Sequence, residues 1–231
     1  RFAWVHSENI SAQAGEPLMA KGGKADQVLL NGMANVKHLA LLASWQKSRY
    51  FHYSGPGREG NRRFLGGECA MLTGESSLFA EARRAGIDVG IHPLPHYDDA
   101  YAAKPNDVLP DGAGLWVLAG HKKDEYRLAA HFMSFLMRPE VQKEWVQATS
   151  FLPMTPGALA ALRSSDIPPN LLDAAQRRLS VSRKGSTRIK HGPIRDRLHE
   201  FIGEEVEFVW TTDRAAKEAL DNAMRRVNES L

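Results

Sequence analysis

The chain has 231 residues, 43% of them hydrophobic and 25% charged, enough for one large domain with a real core and inconsistent with a disordered chain. The formal net charge is +3, with the basic residues scattered, so nucleic-acid binding has little support. A single cysteine, Cys69, excludes an intramolecular disulfide, and no run approaches the roughly 20 apolar residues of a membrane span.

Phe2 to Val5 reads as a short strand entered midway rather than as a leader, and His6 to Lys24 as a polar loop set by Gly15, Pro17, Gly22 and Gly23. Gln27 to Leu30 is extended. Asn31 then caps a helix from Gly32 to Lys47, with Met33, Val36, Ala40 and Ala43 on one face and Leu39 and Leu42 beside them. After a Gly/Pro-rich loop, a helical turn from Asn61 to Leu65 leads to Gly66-Gly67 and a short apolar strand, Cys69 to Leu72. Thr73-Gly74-Glu75-Ser76-Ser77 follows, and a helix runs from about Ser76 to Ala85, closed by Gly86.

Asp88 to Leu94 is predicted as a strand ending at Pro93-Leu94-Pro95, followed by a long loop, His96 to Asp111, and a buried strand, Leu115 to Ala119. Trp116 and Trp145 read as core residues. Asp124 opens a helix on which Tyr126, Ala129, Ala130 and Met133 recur, and Pro139 and Pro156 stand at first helical positions. Leu171 to Leu179 is helical, and Ser180 to Lys190 is a basic loop. Two long helices end the chain, Pro193 to Trp210 and Asp213 to Asn228. One carries the stripe Ile194, Leu198, Phe201, Ile202, Val206, Val209, the other Ala216, Ala219, Leu220, Ala223, Val227.

The chemistry-bearing patterns are few. Nine histidines include only one close pair, His92 and His96, which the intervening prolines keep off a helix face; there is no metal-ligand spacing. Glu204, Glu205 and Glu207 read as a solvated helix face rather than a carboxylate pair for catalysis. There is neither a Walker loop nor a GxGxxG. What remains is a strand, small polar loop and helix N-terminus at residues 69–77, where backbone N–H groups can face an oxyanion or a hydroxylated ligand. Ser76 is either a helix cap there or a ligand contact. Gly74-Glu75-Ser76 begins like a nucleophile elbow, but Leu78 stands where the second glycine belongs.

The window Gly67-Glu68-Cys69-Ala70-Met71 resembles a segment of bacterial extracellular solute-binding proteins (family 1), the receptors of ABC importers. The resemblance continues, in order, through Gly112-Ala113-Gly114-Leu115-Trp116-Val117, Phe132-Met133-Ser134-Phe135-Leu136, Glu144-Trp145, Phe151-Leu152-Pro153-Met154-Thr155 and Glu204-Glu205-Val206-Glu207. It covers nearly the whole chain and, in that order and spacing, is similar to the periplasmic glycerol-3-phosphate-binding subfamily.

The resemblance implies an α/β fold: a periplasmic-binding-protein-like lobe of helices on a mixed sheet, followed by C-terminal helices. Residues 1–231 would be the C-terminal lobe and C-terminal helices of a two-lobe receptor, with the N-terminal lobe mostly outside this sequence. It further implies a periplasmic or lipid-anchored extracellular location and no cofactor. The expected partners are a small solute (glycerol 3-phosphate, a glycerophosphodiester or a sugar) and the membrane permease subunits of an ABC transporter. The alternative class is an α/β enzyme acting on a small sugar or phosphate ester.

Carried over position by position, the implied ligand-binding residues are Trp4, Glu75, Ser76, Gly112, Phe151 and Arg188, with His191 the alternative to Arg188 in an ungapped reading. Three departures stand out. A carboxylate, Glu75, replaces a serine; Phe151 lacks the hydroxyl of a tyrosine; and the arginine segment is shifted in spacing. Glu75 would repel a phosphate monoester unless an arginine screens it, and suits a neutral polyol or sugar as a hydroxyl acceptor.

Overall fold

The computed structural model describes residues 3–20, 27–98, 108–109, 114–180 and 192–230. The chain divides into two compact units. Unit 1 comprises Arg1–Thr73, Leu94–Leu109 and Arg183–Leu231; unit 2 comprises Gly74–Pro93 and Pro110–Ser182.

Unit 1 is organised by the last two helices described, α9 (Gly192–Thr211) and α10 (Ala216–Glu229). Their apolar stripes follow those read from the sequence, with Phe201 partly buried and Ile194 outside the residues whose side chains are described. Leu198, Ile202, Val206 and Val209 are buried on α9, and Ala216, Ala219, Leu220, Ala223 and Val227 on α10. Small residues at 216, 219 and 223 let the two helices approach closely, and their stripes share one core with Leu18, Val28, Leu30, Leu39 and Leu42.

The start of unit 1 differs from the strand-then-loop expectation. Ala3–Glu8 is a π-helical turn that runs directly into α1 (Asn9–Ala14). Four apolar residues cannot distinguish a strand from a helix by period alone. The polar residues that suggested a loop, Ser7, Glu8, Asn9, Ser11 and Gln13, are buried. Three of them are bonded through their side chains: Asn35 Nδ2 donates to Ser11 Oγ at 2.7 Å, the Leu109 N–H to Asn9 Oδ1 at 2.6 Å, and Glu8 Oε1 meets His199 Nε2 at 2.6 Å. Gly15, at φ 71°, ends α1.

β1 (Met19–Ala20) and β2 (Gln27–Val28) form an antiparallel pair, Met19 opposite Val28, in keeping with the extended stretch expected from Gln27. α2 (Met33–Lys47) buries Asn35, Leu39 and Leu42, so its seam lies at Leu39 and Leu42, while Met33 and Ala40 face solvent. Gly32 occupies its N-cap position. Asn31, expected to cap, instead donates through Nδ2 to Asp221 Oδ1 at 2.6 Å. α3 (Glu59–Leu65) precedes Gly67, whose φ of 78° turns the chain. Residues 69–72 form no strand: Cys69 and Leu72 are half-buried, Ala70 is exposed and Met71 is 89% exposed.

Unit 2 contains α4 (Ser77–Arg84), α5 (Lys123–Leu136), α6 (Pro139–Thr149), α7 (Pro156–Leu162) and α8 (Pro169–Ser180). Gly86, at φ 70°, closes α4 as expected, with the Ile87 N–H donating back to Ala82 O at 3.0 Å. Pro139 and Pro156 begin their helices, and Thr155 Oγ1 caps α7 by accepting from the Ala158 N–H at 3.2 Å. The core is Val146, Leu162, Ile167 and Leu171, with Phe79, Ile91 and Leu152 against it.

Two predicted strands of unit 2 carry no ladder among the described residues. In the 88–94 stretch, Ile91 packs into the core and its carbonyl accepts from Asn170 Nδ2, while Pro93 brings no N–H to a ladder. Residues 115–118 are exposed rather than buried, and Trp116 and Trp145, expected in the core, are 88% and 58% exposed.

Of the acidic triplet on α9, expected as a solvated face, Glu204 is exposed and Glu207 half-buried, whereas Glu205 departs from that expectation. Glu205 is buried between two guanidinium groups, accepting from Arg214 Nη1 at 2.7 Å and Arg226 Nη1 at 3.0 Å. Arg226 Nη2 also reaches Glu204 at 2.5 Å, and the Tyr53 hydroxyl donates to Glu207.

Candidate functional site

In unit 2, the loop into α4 and the turn after α6 hold three of the residues singled out by sequence. Glu75 and Ser76 are half-buried at the entry to α4. Ser76 occupies the N-cap position, yet its backbone is already helical (φ −59°, ψ −27°) and its side chain makes no capping bond. The Glu75 and Ser76 carbonyls accept the Leu78 and Phe79 N–H groups, both at 3.1 Å. Ser77 Oγ donates to Glu75 Oε2 at 3.3 Å, which holds the carboxylate beside the first turn of α4, where helix N–H groups favour negative charge.

Phe151 is half-buried just past Ser150, which adopts the left-handed conformation at φ 58° and is itself buried. That turn is tied down by the Phe151 N–H donating to Thr149 Oγ1 at 3.3 Å and by the Met154 N–H donating to Gln142 Oε1 at 2.9 Å. Trp4 belongs to the other unit, in the π-helical turn. Gly112 and Arg188, with its alternative His191, lie outside the described residues.

Unit 2 also has an open depression of about 520 Å³ bordered by Arg83, Arg84, Gln147 and Asp166. Both arginines are engaged, Arg83 Nη2 with Asp166 Oδ2 at 2.9 Å and Arg84 Nη2 with the Ala148 carbonyl at 2.5 Å, so the depression reads as a helix-packing seam. Among the described residues no group of three or more His, Cys, Asp or Glu is placed to hold a metal ion, and no helix is long and apolar enough to cross a membrane.

Unit 1 presents a constellation that sequence reading missed. Thr73 Oγ1 lies 3.1 Å from His6 Nε2, His6 Nδ1 lies 2.9 Å from His38 Nε2, and His38 Nδ1 lies 2.7 Å from the Tyr97 hydroxyl. The two imidazoles stack with centroids 5.1 Å apart. A neutral imidazole offers one donor and one acceptor, so this line is satisfied with one proton per ring. The terminal hydroxyls of Thr73 and Tyr97 can turn to accept, so only a proton added to each ring sets the His6–His38 contact donor against donor. Burial, and then the neighbouring His38, push the His6 pKa down to about 3; burial pushes His38 down to about 4. His6 and His38 stand 32 residues apart, so no local spacing could have revealed the pair.

Residues 1–170 match the family described as bacterial extracellular solute-binding protein. The chain belongs to that family. It is 34% identical over 236 residues to the sn-glycerol-3-phosphate-binding periplasmic protein UgpB of Salmonella paratyphi A, covering 99% of this chain and 54% of that protein. It is 33% identical over 236 residues to UgpB of Escherichia coli strain K12, with the same coverage. The chain thus spans about half the length of the curated relatives it matches.

Among solved structures, it superposes on a cyclo/maltodextrin-binding protein complexed with maltotetraose with a TM-score of 0.65 and 18% identity, covering 99% of this chain and 57% of that one. A cyclic alpha-maltosyl-1,6-maltose binding protein from Arthrobacter globiformis gives a TM-score of 0.60 at 18% identity, with 98% and 55% covered. The α/β fold implied by the resemblance is therefore that of solute-binding proteins, although among the described residues the sheet is an antiparallel pair rather than a mixed sheet, and the resemblance read from the collinear motifs holds along the chain.

Proposed function

We propose that this chain acts as part of the solute-binding component of an ABC import system, working in the periplasm and handing its solute to membrane permease subunits. The observation that carries this reading is the collinear match to glycerol-3-phosphate-binding periplasmic proteins over 99% of the chain. The solute is glycerol 3-phosphate, a glycerophosphodiester or a sugar-type molecule. By their place in the motif order, the residues proposed to contact it are Trp4, Glu75, Ser76, Gly112, Phe151 and Arg188.

Glu75 sets the preference among these solutes. Held at the first turn of α4 by Ser77, it accepts hydroxyl hydrogens and opposes a dianionic phosphate. A polyol, sugar or phosphodiester is therefore favoured over a phosphate monoester. The protein binds without turnover. The test is long incubation with glycerophosphocholine, glycerol 3-phosphate and maltose, followed by equilibrium dialysis and mass analysis of the recovered solute. Saturable binding with the solute recovered unchanged is expected. Steady product formation that disappears in Glu75→Gln or Ser76→Ala overturns the receptor reading.

A further inference from the structure

Buried polar side chains cost free energy unless their hydrogen bonds are remade inside the protein. His6, Asn9 and Gln13 stand three and four residues apart along the π-helical turn and α1, the spacing of one helix face. Asn9 and Gln13 are buried. That face bonds to three points far along the chain. His6 Nε2 lies 3.1 Å from Thr73 Oγ1, Gln13 Nε2 donates to the Leu94 carbonyl at 3.3 Å, and the Leu109 N–H donates to Asn9 Oδ1 at 2.6 Å. Thr73, Leu94 and Leu109 are each the end residue of a unit 1 segment, where the chain leaves for unit 2 or returns from it. Leu109 is buried and belongs to no strand among the described residues, so Asn9 supplies the bond that a ladder would.

We infer that His6 and Asn9 are positioning residues for solute binding, fixing in unit 1 the two segment ends from which the chain runs on to Glu75 and Gly112. Glu75 follows Thr73 by two residues and Gly112 follows Leu109 by three, so few rotatable bonds separate each held end from its proposed contact. Trp4 lies on the same π-helical turn as His6, and such turns concentrate at functional sites. Gln13 fixes the third end, Leu94, by the same means. Contacts held in place before the solute arrives lose less freedom when it binds, and binding is tighter for it. The inference rests on the proposed assignment of Trp4, Glu75 and Gly112 to the solute site.

The test is calorimetric titration with glycerophosphocholine, together with amide hydrogen exchange at Leu109. Asn9→Ala removes the acceptor and Asn9→Asp keeps it. Thr73→Val removes the hydroxyl at an exposed position, where folding is not at risk. In Asn9→Ala the Leu109 amide is expected to exchange about tenfold faster, and binding is expected to weaken by about three- to tenfold. Thr73→Val should weaken it in the same direction, and Asn9→Asp should restore affinity to within about twofold of the unmodified chain. Asn228→Ala, which loosens unit 1 away from these three ends, should leave affinity unchanged. An unaltered Leu109 amide in Asn9→Ala overturns the inference. So does full affinity in Asn9→Ala and Thr73→Val when Glu75→Gln alters binding, and so does a loss of affinity in Asn228→Ala as large as in Asn9→Ala, which makes the effect one of stability. Absence of binding by the unmodified chain, or binding indifferent to Glu75→Gln, overturns the solute-site reading and the inference with it.

Discussion

The side-chain amide of Asn228 pairs with the backbone of Val28 on both of its hydrogen-bonding groups. The Val28 N–H donates to Asn228 Oδ1 at 2.9 Å, and Asn228 Nδ2 donates to the Val28 carbonyl at 3.2 Å. Two further α10 side chains serve the same segment: Met224 Sδ accepts from the Leu30 N–H at 3.2 Å, and Asp221 Oδ1 accepts from Asn31 Nδ2 at 2.6 Å. Positions 221, 224 and 228 lie on one helix face, so α10 stands in for a neighbouring strand along the outer edge of β2. Asn228→Ala strands the Val28 backbone groups of a fully buried residue and is expected to cost about 1–3 kcal/mol. Urea unfolding of both proteins measures it. Asn228→Asp, which keeps the acceptor and loses the donor, should fall between them.

Glu205→Leu removes the shared acceptor of Arg214 and Arg226 while leaving both guanidinium groups stacked over Phe208 and Phe201 at 4.3 Å. Both arginines are partly exposed, so water takes up some of the loss. The expected destabilisation is about 1.5–3 kcal/mol, read from the same unfolding experiment. A Glu205→Leu/Arg226→Met pair should recover part of it. No recovery would show that the two side chains are uncoupled.

The His6–His38 pair predicts a pH dependence. Both pKa values lie below the ordinary 6.5 in the folded chain, at about 3 and about 4. Above pH 6.5 the rings are neutral in both the folded and unfolded states and stability is at its full value. As pH falls below 6.5, the unfolded chain takes up protons that the folded chain refuses, so stability declines until the folded pKa values are passed. Urea midpoints at pH 7.5 and pH 4.5 check this. The drop should be smaller in a His6→Asn/His38→Asn variant than in the unmodified protein. An equal drop places the protonation elsewhere.

On the proposed assignment of Glu75 to the solute site, Glu75→Ser is expected to tighten binding of glycerol 3-phosphate, because a like-charge contact at a half-buried position costs about one to a few kcal/mol. Calorimetric titration with the monoester and with its glycerol diester supplies the comparison. If the unmodified protein prefers the monoester and Glu75→Ser weakens it, Glu75 faces away from the solute.

Much of the helical framework was legible because its signals are local and repeated. The stripes of α9 and α10, the proline starts of α6 and α7 and the Gly86 stop of α4 each follow from a few residues. The failures share a different cause. Ser7 through Gln13 looked like a loop because their burial depends on partners as distant as His199 and Leu109. Leu115 to Leu118 looked buried because their composition is that of a covered strand, while the cover is absent among the described residues. At the candidate site, the loop-to-helix junction was readable. The side-chain detail was not: Ser76 does not cap, and Ser77 is the residue that bonds Glu75.

The interrupted course of unit 1 has a consequence for how the protein is made. Its last segment begins at Arg183, after the whole of unit 2 has been synthesised. Residues 28–31 therefore emerge from the ribosome almost 200 residues before the α10 side chains that complete their hydrogen bonding. During that interval β2 has an open edge and Leu30 and Leu39 lack their apolar partners, while every residue of unit 2 is available to collapse on its own core. Unit 2 is thus able to fold during elongation, whereas unit 1 must wait for release of its C-terminal helix. The early segment of unit 1 is the part of the nascent chain that a chaperone would have most reason to hold.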